Sequence, residues 1–274
     1  MMKRLTLILT SAFLLHGTIL AQSSASALFL LIAPGASAGG TGEAHVADAS
    51  DAYASYWNPA ALAFLTRYEV VAQYSQWLPN LASDMAYNYI GGRFNVPQVG
   101  TFGSHLIYLD LGEQNRTDEF GNDLGSFRSY MWAAAVGFGL QMSPRSSLGL
   151  NVKVVQQNLS PVSTGAEKGK GVSTDFAFDL GYYRRQFLFK SLDLGVAITN
   201  IGPKVAFIDQ DQADPMPTNL KMGIKWWIVQ SEFNKFALLY DMNKLLVASH
   251  PGVDHDGDGI IGGYDSEGFD DPDA

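Results

Sequence analysis

From residue 67 onward, large apolar and small or polar residues alternate along the chain. The clearest stretch sets Tyr130, Trp132, Ala134, Val136, Phe138, Leu140 and Met142 against Met131, Ala133, Ala135, Gly137, Gly139 and Gln141. Successive side chains of a strand point to opposite faces, so this segment presents one large apolar face and one small face. The alternation recurs at 147–157, 174–183, 191–200 and 219–228, with Asp175, Asp179, Asp193, Lys153, Lys221 and Lys225 on the small or polar parity. Less regular strands fit 67–77, 84–96, 99–111 and 234–242, giving about nine in all.

Strands of about 10 residues are what a tilted bilayer crossing requires. The large face then meets lipid, and the small face lines a lumen. A soluble β-sandwich also alternates. Its strands are shorter, typically about 5–6 residues, and it has no need of Asp, Lys and Asn so regularly opposite the apolar face. The connections agree with a barrel. Ser143-Pro144-Arg145-Ser146 reads as a tight turn, whereas 113–127, 160–172 and 201–217 are long and polar. Short periplasmic turns opposite long outer loops have this rhythm. The expected fold is all-β, a transmembrane antiparallel β-barrel over residues 67–250.

The two ends break the pattern. Residues 1–21 carry Lys3 and Arg4, an apolar run from Leu5 to Leu20, and Ala21 at a cleavage position, which reads as a secretory signal peptide. An anchor helix needs about 20 apolar residues, and His16, Gly17 and Thr18 interrupt this run. Residues 22–66 show no strand period. The stretch 29–66 is rich in Ala, Gly, Ser and aromatics, and Asn58-Pro59 marks a turn or helix start. Short helices plugging the barrel suit this composition better than a periplasmic linker, in which so many apolar residues would be poorly solvated.

Composition narrows the class. Across 274 residues, apolar types make up 47% and charged types 16%, against about 25% charged in a typical soluble domain. Mean hydropathy is only +0.01, too low for a bundle of membrane helices. The net charge is −9 and no basic patch offers a nucleic-acid footprint. The absence of cysteine excludes disulfides, thiol catalysis, thiolate metal sites and a lipoprotein anchor.

Phe29-Leu30-Leu31-Ile32, Pro34 to Ala44 with Gly39, Gly40 and Gly42, Asp51-Ala52-Tyr53, and Trp57-Asn58-Pro59-Ala60 carry a resemblance. Together with Tyr74-Ser75-Gln76-Trp77-Leu78-Pro79 they resemble the PorV/PorQ family of type IX secretion outer-membrane proteins, and PorV within it, a group related to FadL-type barrels. The resemblance implies about fourteen antiparallel strands with an N-terminal plug. It also implies binding to the C-terminal signal domain of secreted cargo, with transfer from the translocon to the cell-surface attachment (sortase) complex. Barrels of this kind end on a strand with a terminal aromatic. This sequence ends Gly268-Phe269-Asp270-Asp271-Pro272-Asp273-Ala274, so the chain is expected to be truncated before its last strands.

Residues 251–274 form an acidic Asp/Gly-rich segment. Asp254, Asp256, Asp258, Gly259, Ile260 and Asp265 have the spacing of a calcium loop, with Ile260 offering its backbone carbonyl and Asp265 in place of the usual Glu. A solvated acidic outer loop is the alternative. No G-x-S-x-G elbow, H-E-x-x-H or phosphate loop occurs, and His45, His105, His250 and His255 are scattered, so no enzyme activity is expected. His105 reads as an ordinary pore or girdle residue, and the inward Asp and Lys residues as a hydrated, mutually paired lumen lining. Beside the secretion reading stands a FadL-like channel for hydrophobic small molecules. The small, charged lumen face argues mildly against it.

Overall fold

The computed structural model describes residues 25–48, 50–118, 120–162, 170–207 and 213–247; the expected signal peptide and the acidic segment lie outside them. Nine strands form one sheet in simple chain order: β1 (Glu69–Gln76), β2 (Ala86–Val96), β3 (Gly100–Thr117), β4 (Asp123–Gln141), β5 (Ser146–Ser160), β6 (Gly171–Arg184), β7 (Leu192–Ile201), β8 (Asn219–Gln230) and β9 (Lys235–Leu245). Every neighbouring pair is antiparallel. The protein is therefore all-β, and no described helix is long and apolar enough to cross a membrane. The resemblance implied about fourteen strands; the described residues form nine, with β1 and β9 each paired on one side.

Register aligns the two parities across the sheet. Phe138, Leu150, Leu180, Ile198 and Leu220 form one continuous outward row, and Val136, Val152 and Phe178 form the next. Many of these side chains are exposed, Val136 at 63%. An apolar belt this extensive is far beyond what a water-facing surface carries, and it suits a hydrocarbon environment. The inward rows are the reverse. Gly139, Gly149, Gly181 and Ala197 lie side by side across β4–β7, and Gly195, Gly223 and Asp241 across β7–β9.

One strand pair is longer than its alternation predicts. Residues 113–117 and 123–127 of the polar stretch continue as paired strand, with Glu113 opposite Arg128 and Thr117 opposite Asp123. Asp118 closes the tip, its carboxylate accepting the amides of Phe120 and Asn122 at 2.9 and 2.8 Å. The Asn122 side-chain amide donates to the same carboxylate at 2.7 Å, and this bond, with those backbone amides, holds the Asp118 carboxyl below its ordinary pKa. Backbone pairing and polar side-chain bonds such as that of Ser126 to Glu113 sustain this hairpin, so its sequence carries no apolar period to read. At its base, Arg128 donates to both carboxylate oxygens of Asp110.

The segment 25–66 occupies the inward face. It folds as 3-10 turns Leu28–Leu31 and Pro59–Phe64 and as single helical turns Ala36–Gly40 and Ala54–Trp57. It reaches both edges of the sheet: Gln73 on β1 accepts the Gly35 amide at 2.7 Å, and Asp241 on β9 accepts the His45 and Val46 amides at 2.8 Å. A sheet whose first and last strands grip the same short segment must curl around it. Trp57, Tyr56 and Leu62 pack there with Tyr87, Tyr89 and Ile107 of the wall. Each such side chain contributes about 1.5–3 kcal/mol on burial.

Candidate functional site

The Trp57-Asn58-Pro59 half of the family motif is the point where the inner segment locks to the sheet. Pro59 starts the 3-10 turn, where its missing N–H costs nothing. Asn58 caps that turn, its Oδ1 accepting the Ala60 amide at 3.1 Å. Its Nδ2 donates to Val46 O at 3.2 Å and to Tyr182 O of β6 at 3.1 Å. One fully buried side chain thus joins turn, preceding loop and wall. The Trp57 indole N–H donates to Pro34 O at 3.3 Å, tying the two halves of the segment together.

The glycine half behaves differently. Gly39, Gly40 and Gly42 lie at the exposed end of the Ala36–Gly40 turn. Gly42 has φ +66°, a conformation that favours glycine. Nothing among the described residues explains glycine at 39 and 40.

The small inward face exists because backbone, rather than water, lies against it. A Cβ on Gly139 would stand 2.6 Å from Ala63 N, 2.9 Å from Leu62 Cβ and 3.0 Å from Pro59 O. One on Gly181 would stand 3.0 Å from Ala60 N. Gly149 faces the Pro59–Ala60 peptide and Gly195 faces Val46 O in the same way. This corrects the expectation of a hydrated lumen at these strands, since periodicity reports which face is small but not what fills the space beside it.

The inward charges follow suit. Lys153 and Asp179 form an ion pair at 2.8 Å with side chains 4% and 0% exposed. Lys153 also donates to Asn200 Oδ1 at 2.6 Å, and Asp179 accepts from Asn151 Nδ2 and the Asn200 amide at 2.7 and 2.8 Å. Asn151 Nδ2 donates in turn to Ser55 O at 2.6 Å, so the network grips the inner segment. Lys221 stands over the rings of Tyr56 and Trp57, 4.7 and 5.2 Å from their centroids. Lys225 pairs with Asp48, and Asp193 accepts the Gln186 amide. Asp175 stays outside this network; its Oδ2 is buried without a partner among the described residues. The expected charged network is therefore real in part, and it is a dry clamp.

Two histidines that the sequence left scattered belong to the same interior. His105 Nδ1 and Ser55 Oγ are 2.9 Å apart, and the ring stacks on Tyr89. Ser55 is 0% and His105 4% exposed. No substrate carbonyl can approach a hydroxyl so enclosed, so this pair fastens the segment to β3 rather than supplying a nucleophile. His45 packs edge-on against Trp57, and its burial pushes the imidazole pKa down. Apart from the spacing of the motif itself, no sequence signal pairs Ser55 with His105 or Asn58 with Tyr182.

Among the described residues no cluster of His, Asp or Glu is arranged to hold a metal. The candidate calcium loop of Asp254, Asp256, Asp258, Ile260 and Asp265 lies outside them. At the long-loop end, the β3–β4 hairpin carries Phe120, 82% exposed, beside exposed Leu124. Its Glu113 amide is held by Asp84 of the β1–β2 connection at 2.8 Å.

The model of a family described as Type IX secretion system protein PorV matches residues 21–252, most of the chain. No curated protein matches the sequence.

Proposed function

Given that the chain belongs to the PorV family of type IX secretion system proteins, we propose that it is an outer-membrane shuttle which binds the C-terminal signal domain of secreted cargo. It passes that cargo from the translocon to the cell-surface attachment complex containing the sortase. The protein itself makes and breaks no covalent bond; binding and release do the work. The apolar outward rows of β4–β8 meet the lipid, the short turns lie on the periplasmic side, and the long connections face outward.

The observation that carries this reading over a channel for hydrophobic molecules is the packed interior. Residues 55–64 sit in backbone contact with β4–β6 and are clamped by Asn58, Asn151 and Asp179. A solute crossing here would have to unpack a core, whereas a carrier needs only a rigid body with adhesive outer loops. The β3–β4 hairpin, with Phe120 exposed on a tip that Asp118 fixes, supplies such a surface. Aromatic residues held rigidly lose little entropy on docking.

Deletion of the protein is expected to leave type IX cargo in the periplasm with fatty-acid uptake unchanged. Pull-down from detergent-solubilised outer membranes is expected to recover translocon or attachment-complex proteins. Normal surface delivery combined with lost uptake of hydrophobic solutes would overturn the shuttle in favour of the channel.

A further inference from the structure

A cavity of about 380 Å³ opens at the short-turn end of the sheet, between the 59–64 turn and the ends of β6–β8. Small-molecule sites begin near this size, at roughly 300 Å³. Its walls are fixed by their own contacts. Tyr183 donates its hydroxyl to Ala47 O at 2.8 Å, and Lys225 is held between Asp48 and the Trp227 ring. Asp193 is engaged by the Gln186 amide.

Two lining cations are not engaged in this way. Arg185 Cζ lies over the Phe64 ring, 4.1 Å from its centroid, and Phe64 is braced against Tyr183. A cation–π contact leaves the guanidinium N–H donors unspent, and these form the edge that grips a carboxylate or phosphate bidentately. Neither Arg185 nor Lys190 takes part in an ion pair among the described residues. Lining charges are Arg185, Lys190 and Lys225 against Asp48 and Asp193, so three minus two leaves one positive charge. That balance suits a monoanion; a dianion would meet the two aspartates. Leu65 and Trp227 add apolar wall.

We propose that this cavity binds a small organic monoanion, a carboxylate on an apolar body, with the anion on the edge of Arg185 beside Lys190 and the body against Leu65 and Trp227. The site does not rest on the shuttle reading, and it lies at the opposite end from the outer hairpin.

The test is calorimetric titration of the full chain in detergent micelles with three probes: N-acetylphenylalanine, its neutral amide, and inorganic phosphate. The acid is expected to bind at least about tenfold more tightly than either of the others, since charge-assisted bidentate bonds are the strong ones. Arg185→Gln is expected to remove that preference. Lys190→Gln, on an exposed turn, is expected to weaken it without altering the unfolding midpoint. Equal affinity for acid and amide would overturn the proposal, as would no heat from the acid at millimolar concentration or unchanged affinity in the double variant.

Discussion

Gly139→Ala adds one methyl group, and the wall geometry makes that methyl expensive. Its Cβ would lie 2.6 Å from Ala63 N, whereas ordinary contact begins at 3.4 Å, so 0.8 Å must be found. The crowding atom is backbone, and rotating a side chain cannot relieve it. Nor is the 59–64 turn free to retreat: Ser147 Oγ donates to Ala60 O at 2.6 Å, and Asn58 holds Tyr182 O at 3.1 Å. Forcing a methyl into a filled core costs about 1–3 kcal/mol, and losing one of these hydrogen bonds adds about 1 kcal/mol. The expected destabilisation is therefore about 2–4 kcal/mol, read as a lower denaturant midpoint by tryptophan fluorescence in detergent micelles. Protease should also begin to cut within residues 50–66 of the variant. Gly92→Ala is the control. It is also a strand glycine, but its Cβ would meet only Glu69 O at 3.4 Å and Val70 at 3.9 Å. It should shift the midpoint by less than about 0.5 kcal/mol. If the two variants unfold together, or Gly139→Ala matches the parent protein, the inward glycines do not owe their size to the inner segment.

Val136→Arg, midway along the outward row of β4, should cost about 2–4 kcal/mol in bilayer assembly, whereas Leu124→Arg on the β3–β4 extension should be nearly neutral. Equal assembly of the two in outer membranes would refute the bilayer level assigned to the sheet. Lys153→Met leaves Asp179 buried opposite Asn151 and Asn200 without its cation and should cost about 3–5 kcal/mol. Adding Asp179→Asn should recover part of that loss in the denaturant midpoint, and no recovery would mean that Lys153 acts through packing alone.

Period-two alternation by itself determined the strand count, the identity of the outward face and the tight turn at 143–146. A sheet with one large apolar face and one small face imposes those features residue by residue along each strand, so they survive in one dimension. The motif spacing likewise placed the chain in its family before any coordinate was known. What filled the small face was decided only in three dimensions. Gly139, Gly149 and Gly181 look alike whether they border water or backbone, and only the 59–64 turn lying across them distinguishes the two. The partners Asn58–Tyr182, Ser55–His105 and Lys153–Asp179 are 124, 50 and 26 residues apart in the chain, and register and curling bring them together. The β3–β4 extension escaped the sequence for the opposite reason. Beyond the apolar belt no face of a hairpin must be apolar, so backbone pairing holds residues 113–117 against 123–128 without leaving a pattern to read.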